Sequence, residues 1–261
     1  MKETSAIASL FSVNGSPSRN VKYVLYGIYA ALFVIVWHAG AGTTVRPFTE
    51  IGSSFYHLWF EKGLAQDLGQ SIQLIAIALG ASLFATLATT YIATLPALEP
   101  ISYFISRGRF LGLMGLNAIF IEVFGLGIAM KIAVLTFSVS VFFVTSMHAI
   151  ITEIPRSRYD YARSLGLNSW QVVWHVVIRG TADQMLESLR QNAAIGWMMI
   201  TAVEGIVKSG GIGDRLYYSY KHFDRGEVLA IIFCILLIGI LMDITLRWLQ
   251  HIITPHVLAK K

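Results

Sequence analysis

Long apolar runs, separated by short polar connections, occupy most of this 261-residue chain. A helix needs about 20 mostly apolar residues to cross a bilayer, so each run of that length predicts a membrane-spanning helix. The four clearest runs are residues 23–42, 71–95, 132–152 and 228–247. Two further runs each contain one glutamate: residues 110–127 include Glu122, and residues 192–207 include Glu204. Together the runs predict an all-α, polytopic membrane protein with about six transmembrane helices.

The composition agrees with burial in lipid. Hydrophobic residues make up 55% of the chain and charged residues 13%, whereas a soluble domain carries about 25% charged residues. The net charge of +5 favours basic residues that set membrane topology over binding to nucleic acid. Cys234 is the single cysteine, which excludes an internal disulfide framework.

Lysine and arginine are distributed unequally between the two sides of the predicted bundle. The side that holds both termini carries most of them, including Arg107, Arg109 and the arginines of the long connection 153–191. Because cytoplasmic loops carry the excess of these residues, we expect both termini to be cytoplasmic. Residues 1–22 are then a cytoplasmic segment without the apolar core of a cleaved signal. Residues 23–250 form the transmembrane domain, and residues 251–261 form a cytoplasmic tail.

The connection 153–191 contains the pattern of a short helix. Pro155 is tolerated at the start of a helix, and Tyr161 and Leu165 follow at helical spacing. Gly166 suits the left-handed residue that ends a helix.

A second helix is predicted directly after it. Asn168 and Gln171 have the spacing of a capping box. The apolar stripe that follows is Trp170, Val173, Trp174 and Val177. The pattern alone is typical of two structures: an amphipathic segment lying on lipid headgroups, or a docking element for a cytoplasmic partner.

The same loop resembles the "EAA" loop of ATP-binding-cassette importer permeases. That motif reads Glu-Ala-Ala, three residues, Gly, nine residues, then Ile-x-Leu-Pro. Here Asp160-Tyr161-Ala162 is followed by Gly166 and by "VVI" at residues 176–178, with Arg179 in place of the proline. The segments "DLGQSIQLIAIALGASL" and "EGIVKSGGIGDRL" are similar to parts of the nitrate, sulfonate, taurine and bicarbonate permeases.

The resemblance implies a type I importer permease fold in a bacterial cytoplasmic membrane, with a coupling helix that docks in a groove of a separate ATPase. The residues it implies in coupling are Arg158, Asp160, Tyr161, Ala162, Arg163, Leu165 and Gly166. It also implies three partners: an ATPase dimer, a second permease copy and an extracytoplasmic binding protein. The chain has no G-x-x-x-x-G-K-[ST] phosphate loop, so we expect the partner ATPase to bind ATP and Mg²⁺. The implied substrate is a small anion such as nitrate, a sulfonate such as taurine, or bicarbonate.

Polar residues inside the predicted spans are candidates for the translocation pathway, because such residues usually face a bundle interior or water. The candidates are Asn192, Trp197, Met198, Glu204 and Glu122. Glu204 has two interpretations: a structural hydrogen bond to a neighbouring helix or to the loop at Gly210, or a role in the pathway. The histidines show no metal-ligand spacing, so we expect no metal site.

Two other functions remain open from the residues. An ion-driven secondary transporter would use Glu122 or Glu204 as a proton relay, although the internal repeats typical of such folds are not evident. An intramembrane enzyme is the third alternative, and the chain shows no nucleophile–base or metal signature for it.

Overall fold

A computed structural model of the chain describes residues 19–40, 46–92, 99–111 and 113–253. Over these residues the chain is helical and contains no strand. The chain divides into two compact units, Met1–Ser53 and Ser54–Lys261. Most of the two predicted terminal segments, residues 1–22 and 251–261, lies outside the described residues.

The helices vary widely in length. They are α1 (Arg19–Gly40), α2 (Phe48–Phe60), α3 (Leu64–Ile92), α4 (Glu99–Arg107), α5 (Leu113–Phe124), α6 (Ile128–Thr152), α7 (Arg156–Ser164), α8 (Ser169–Val172), α9 (Ala182–Ile206), α10 (Ile212–Lys221) and α11 (Arg225–Ile253). A 3₁₀ turn, Gly108–Phe110, follows α4, and a π-helical segment, Val173–Ile178, follows α8. The fold class predicted from the apolar runs is thereby confirmed as helical.

Among the described residues, four helices are long and apolar enough to cross a membrane. They are Asn20–Gly40 within α1, Leu64–Ile92, Ile128–Thr152 and Arg225–Ile253. These helices confirm the four clearest apolar runs, with somewhat different bounds. Residues 41–42 of the first predicted run and 93–95 of the second lie outside the described residues.

The third predicted span, residues 110–127, is not one continuous helix. The helical segments Tyr103–Phe110 and Gly115–Phe124 meet at an angle of 112°, and the pair is a candidate for a broken span or a re-entrant loop. The 3₁₀ turn Gly108–Phe110 ends the first segment, and the bend follows it. The predicted run 110–127 contains the helix α5, which with 12 residues is shorter than a membrane span.

Both segments contact α6. In the first segment, the Tyr103 ring centroid lies 4.7 Å from that of His148, and a Cβ added to Gly108 would lie 3.3 Å from Cγ2 of Val141. In the second segment, the Phe120 ring centroid lies 5.7 Å from that of Phe137. The 3₁₀ turn Gly108–Phe110, which includes Arg109, therefore lies beside the middle of α6. The side of the membrane that the sequence assigns to Arg107 and Arg109 stays a prediction.

The fifth predicted span corresponds to α9, which begins at Ala182 and not at residue 192. α9 has 25 residues, yet it is not among the described helices that are apolar enough to span, because its first turns are polar. In these turns Arg190 contacts Glu187 and, on α11, Asp243. The hydrogen bond from Arg190 lowers the pKa of Glu187 below its usual value. The helix therefore begins before the predicted apolar run, and ion pairs hold its first turns.

Helices α3, α6 and α9 enclose the hydrophobic core of the larger unit. Its buried members are Leu74, Ile75, Ala78, Met130, Val134, Leu135, Trp197, Ile200, Val203 and Val207. Gly196 allows α9 to approach closely, since a Cβ there would lie 2.9 Å from Cδ1 of Ile75. Small residues at helix contacts are typical of membrane bundles, where van der Waals packing drives association.

Candidate functional site

The coupling-type motif lies on a helix that is fixed at both ends. Pro155 occupies the N-cap position of α7 with an extended backbone. At the other end Gly166 adopts a φ of +79°, its N–H donates to the Arg163 carbonyl over 2.9 Å, and the Leu167 N–H donates to the Ala162 carbonyl over 3.4 Å. This pair of bonds is a Schellman motif. The helix end predicted at Gly166 is confirmed.

The motif residues of α7 face two ways. Ala162 is buried, whereas the side chains of Tyr161 and Leu165 are 67% and 63% exposed. Two large apolar side chains therefore point away from the chain on a short, otherwise polar helix. Such exposure is typical of a contact surface.

The charged motif residues of α7 are also exposed. Arg158, Asp160 and Arg163 lie at the surface, and within the described part of the chain none of them forms an ion pair. Their charges are thus available to a partner.

A groove of about 390 Å³ lies between α7 and the segment that returns toward α9. Its lining comprises Ser157, Arg158, Tyr161, Ala162, Leu165, Leu167, His175, Val176 and Gly180. The loop therefore folds back on itself and presents a concave surface beside the exposed face of α7.

The second helix begins as predicted. The Asn168 side chain accepts from the Gln171 N–H over 2.9 Å, and the Gln171 side chain accepts from the Asn168 N–H over 3.0 Å, which confirms the capping box. Its continuation differs, because residues Val173–Ile178 wind as a π-helix. The Arg179 N–H accordingly donates to the carbonyl of Trp174, five residues earlier, over 3.1 Å.

The wider π turn changes which side chains are buried. The predicted stripe Trp170, Val173, Trp174 and Val177 does not form one face: Val177 is fully buried, while Trp170 and Trp174 are 67% and 45% exposed. The stripe was predicted at 3.6-residue spacing, which the π-helix does not keep.

Gly180 closes the π-helical segment, and its replacement by alanine is expected to destabilise the loop. A Cβ at this position would lie 2.1 Å from the carbonyl oxygen of Val176. The apparent Tm of purified Gly180→Ala, measured by scanning fluorimetry, should fall clearly below that of wild type. Gly69→Ala is the control, because no atom lies within 4 Å of a Cβ there. Equal Tm values for the two variants would show that the backbone at Gly180 adjusts freely.

Glu204 lies in a buried polar cluster beyond the core. Both of its carboxylate oxygens accept from the Ser71 hydroxyl over 2.8 Å, and one accepts from the Gly213 N–H over 2.9 Å. The side chain is 1% exposed. A Cβ on Gly211 would lie 2.3 Å from this carboxylate, so the loop wraps around it. These contacts agree with the structural interpretation of Glu204.

Lys131 and Ser71 complete this cluster, and the sequence did not single them out. Lys131 is buried and donates from Nζ to the Gly210 carbonyl over 2.8 Å, while the Ser71 hydroxyl accepts from the Ile212 N–H over 2.9 Å. The charge of Lys131 at the beginning of an apolar helix was the available signal. Its partners, 79 residues away along the chain, were not visible.

The remaining pathway candidates occupy different environments. Asn192 and Trp197 are buried, and the Trp197 indole N–H donates to the Ile235 carbonyl over 2.9 Å. Met198 is 67% exposed, and Glu122 is exposed near the end of α5. The structure therefore does not bring the five candidates together, and their role in a pathway stays a prediction. The described residues contain no group of three or more metal-ligating side chains.

The helical membrane fold and the motif-bearing loop together define a polytopic transport permease. The chain belongs to the family described as "Binding-protein-dependent transport system inner membrane component", whose model matches residues 23–258. It is thus an ABC transporter permease by family.

Several curated relatives are similar over part of their length. The taurine transport system permease protein TauC of Escherichia coli is 30% identical over 132 residues, 51% of this chain and 48% of the relative. The nitrate import permease protein NrtB of Synechococcus elongatus is 25% identical over 130 residues, 46% of this chain and 47% of the relative. A bicarbonate transport system permease protein, CmpB of a Synechocystis species, is 27% identical over 127 residues, 45% of each chain. The chain spans about half the length of the curated relatives that it matches.

Proposed function

We propose that this chain is the membrane-spanning permease subunit of an ATP-driven importer and that α7 docks on a separate ATPase. One observation carries the proposal: a short helix fixed at both ends exposes Tyr161 and Leu165 within the loop that bears the family motif. A rigid helix with apolar anchors suits a groove on another protein, because ordering it on binding costs little conformational entropy.

Motion at α7 has a continuous path to the core. The Schellman end at Gly166 fixes the angle of exit, the capping box starts α8, and the π-helical segment leads through Thr181 into α9. α9 contributes Trp197 and Ile200 to the core shared with α3 and α6. A displacement of α7 by nucleotide binding in the ATPase would therefore be transmitted to the spanning helices.

The partners follow from the family. We expect two ATPase subunits that bind ATP and Mg²⁺, a second copy of this permease related by twofold symmetry, and an extracytoplasmic binding protein. Arg158 and Arg163 are placed to pair with acidic groove residues, at about 0–1 kcal/mol for each exposed pair. The proposed location is the bacterial cytoplasmic membrane, with both termini in the cytoplasm.

The proposed substrate is a small anion. The relatives named for taurine, nitrate and bicarbonate transport support this class. We also propose that α9 lines the translocation pathway. Among its candidate residues, Met198 is exposed, whereas Asn192, Trp197 and Glu204 are buried.

The proposal is tested by purification with native partners and by uptake. The tagged chain should co-purify with a nucleotide-hydrolysing subunit, and proteoliposomes of the complex should import taurine, nitrate or bicarbonate only when ATP and the binding protein are supplied. Absence of any ATPase from the purified complex would contradict the proposal. Uptake that persists without ATP and collapses with the proton gradient would favour the ion-driven alternative.

A further inference from the structure

The 3₁₀ turn Gly108–Phe110, which precedes the break in the third candidate span, lies beside the middle of α6. Gly108 packs against Phe137 and Val141, which are the tenth and fourteenth residues of the 25-residue helix α6. Because α6 is long enough to cross the membrane, its middle corresponds to the bilayer interior. Interrupted helices at this depth are tolerated where the irregular backbone lines a cavity, and in transporters they often form binding sites.

Arg109 is the central residue of this 3₁₀ turn. It lines a cavity of about 50 Å³ together with Ser138 of α6 and Met199 of α9. Its guanidinium lies 5.1 Å from the centroid of the Phe110 ring and, within the described residues, forms no ion pair. An arginine facing hydrocarbon is costly, so it is expected to face water or an anionic partner.

Three hydroxyls near the middle of α6 are also available. Thr136, Ser138 and Ser140 are buried hydroxyl groups without a hydrogen-bond partner among the described residues. In the last part of the same helix, by contrast, Thr145 and Ser146 donate to the carbonyls four residues earlier, over 2.9 and 3.1 Å. Hydroxyls of a membrane helix ordinarily make this local bond. The unpaired hydroxyls of α6 are therefore close together along the helix, and Ser138 among them lines the Arg109 cavity.

The small cavity adjoins a larger one. Phe137 and Val141 line both the Arg109 cavity and a mainly apolar groove of about 670 Å³, into which Thr136 and Ser140 also open. The small cavity has room for an oxyanion head group, and the larger one for a whole small solute. A route with an arginine, free hydroxyls and apolar walls suits an anion with a compact charged group.

We propose that Arg109 and Ser138 form an anion-binding site midway through the membrane, which holds the sulfonate, nitrate or bicarbonate group during translocation. This inference rests on the proposed function and adds the residues that select the charge of the substrate. The guanidinium supplies the charge and directed N–H donors that planar oxyanions require, and the Ser138 hydroxyl supplies one more donor.

Thiol labelling tests the site directly. Cys234 is the only cysteine, so Ser138→Cys in a Cys234→Ala background carries a single thiol, at a position that lines the Arg109 cavity. We expect a sulfonate-bearing methanethiosulfonate to react with it faster than a trimethylammonium analogue of similar size, and we expect taurine, nitrate or bicarbonate to slow the reaction. Ser146→Cys, whose native hydroxyl is bonded to the backbone, is the matched control and should show no preference for the anion.

The preference should depend on Arg109. Arg109→Gln is expected to reduce the ratio of anionic to cationic labelling by about tenfold or more, whereas Arg109→Lys and the neighbouring control Arg107→Gln should retain it. Uptake by the assembled complex should fall by about tenfold or more in Arg109→Gln, as expected when a charge-assisted hydrogen bond is lost. Size-exclusion chromatography of each variant establishes that it assembles.

The possible outcomes separate the two proposals. No labelling of the Ser138→Cys variant, equal labelling of it by both reagents, or a preference that survives Arg109→Gln would overturn the anion site. A wild-type complex that imports none of the three anions would instead contradict the proposed substrate class. Normal uptake by Arg109→Gln in a complex whose wild type does import them would contradict only the site.

Discussion

Replacement of Glu204 by alanine is expected to lower the apparent Tm of the purified protein by roughly 10 °C. The Glu204 carboxylate is buried and accepts hydrogen bonds from Ser71 and from the Gly213 N–H. Alanine removes the acceptor and one of the two negative charges near buried Lys131, so that Asp214 alone remains. Removal of one member of a buried charged network costs about 3–5 kcal/mol, which corresponds to a change in Tm of that size.

Glu122→Ala is the matched control for this prediction. Glu122 also interrupts an apolar run, but it is exposed and has no hydrogen bond or ion pair among the described residues. Its removal should leave the Tm nearly unchanged. If Glu204→Ala is as stable as Glu122→Ala, the buried cluster does not stabilise the fold.

The same variants resolve the two interpretations of Glu204. A structural role predicts that stability and transport fall together in Glu204→Ala. A role limited to the pathway predicts a protein of normal stability whose complex assembles and does not transport. Tm and uptake, measured on the same preparation, therefore give different results for each interpretation.

The second large effect is expected at Gly166. Valine at this position must adopt the φ of +79° that ends α7, which costs an L-residue about 1–2 kcal/mol and a β-branched residue more. No atom lies within 4 Å of a Cβ at Gly166, so the strain is conformational and not steric. We expect Gly166→Val to insert normally but to recover about tenfold less ATPase in a pull-down, because relief of the strain alters the exit angle of α7.

Gly166→Asn separates backbone strain from loss of the glycine itself. Asparagine tolerates the left-handed conformation, and the open space around Gly166 accepts its side chain. The asparagine variant should therefore recover ATPase nearly as well as wild type. Recovery that is normal in both variants would show that the angle at Gly166 does not matter for docking.

Local chemistry made the loop predictable from sequence. Pro155, Gly166 and the pair Asn168–Gln171 act on their immediate neighbours, and the structure places each in the predicted role. The length and composition of the apolar runs likewise located four spanning helices. The π-helix at Val173–Ile178 was not predictable. The apolar residues of this segment also fit the 3.6-residue spacing of an α-helix, and only their packing partners distinguish the two helix types.

Long-range contacts account for the other differences. The 3₁₀ turn before the break in the third candidate span packs against Val141 of α6 at Gly108, and the polar start of α9 is held by Arg190 and Asp243. Both depend on residues distant in sequence. Arg109 is an example. The sequence predicts that it lies in a basic connection between two spans, whereas in the structure it lies beside the middle of α6.

Photo-crosslinking from α7 tests the docking of a motor subunit most directly. A benzoylphenylalanine replaces Tyr161, which is 67% exposed, or, as a control, Phe223, which is 85% exposed and follows α10 on the predicted outer side. Irradiation of intact cells should produce an adduct between position 161 and a nucleotide-hydrolysing protein, and no such adduct from position 223. An ATPase adduct from position 223 in place of position 161, or none from either, would contradict α7 as the helix that couples this permease to ATP hydrolysis.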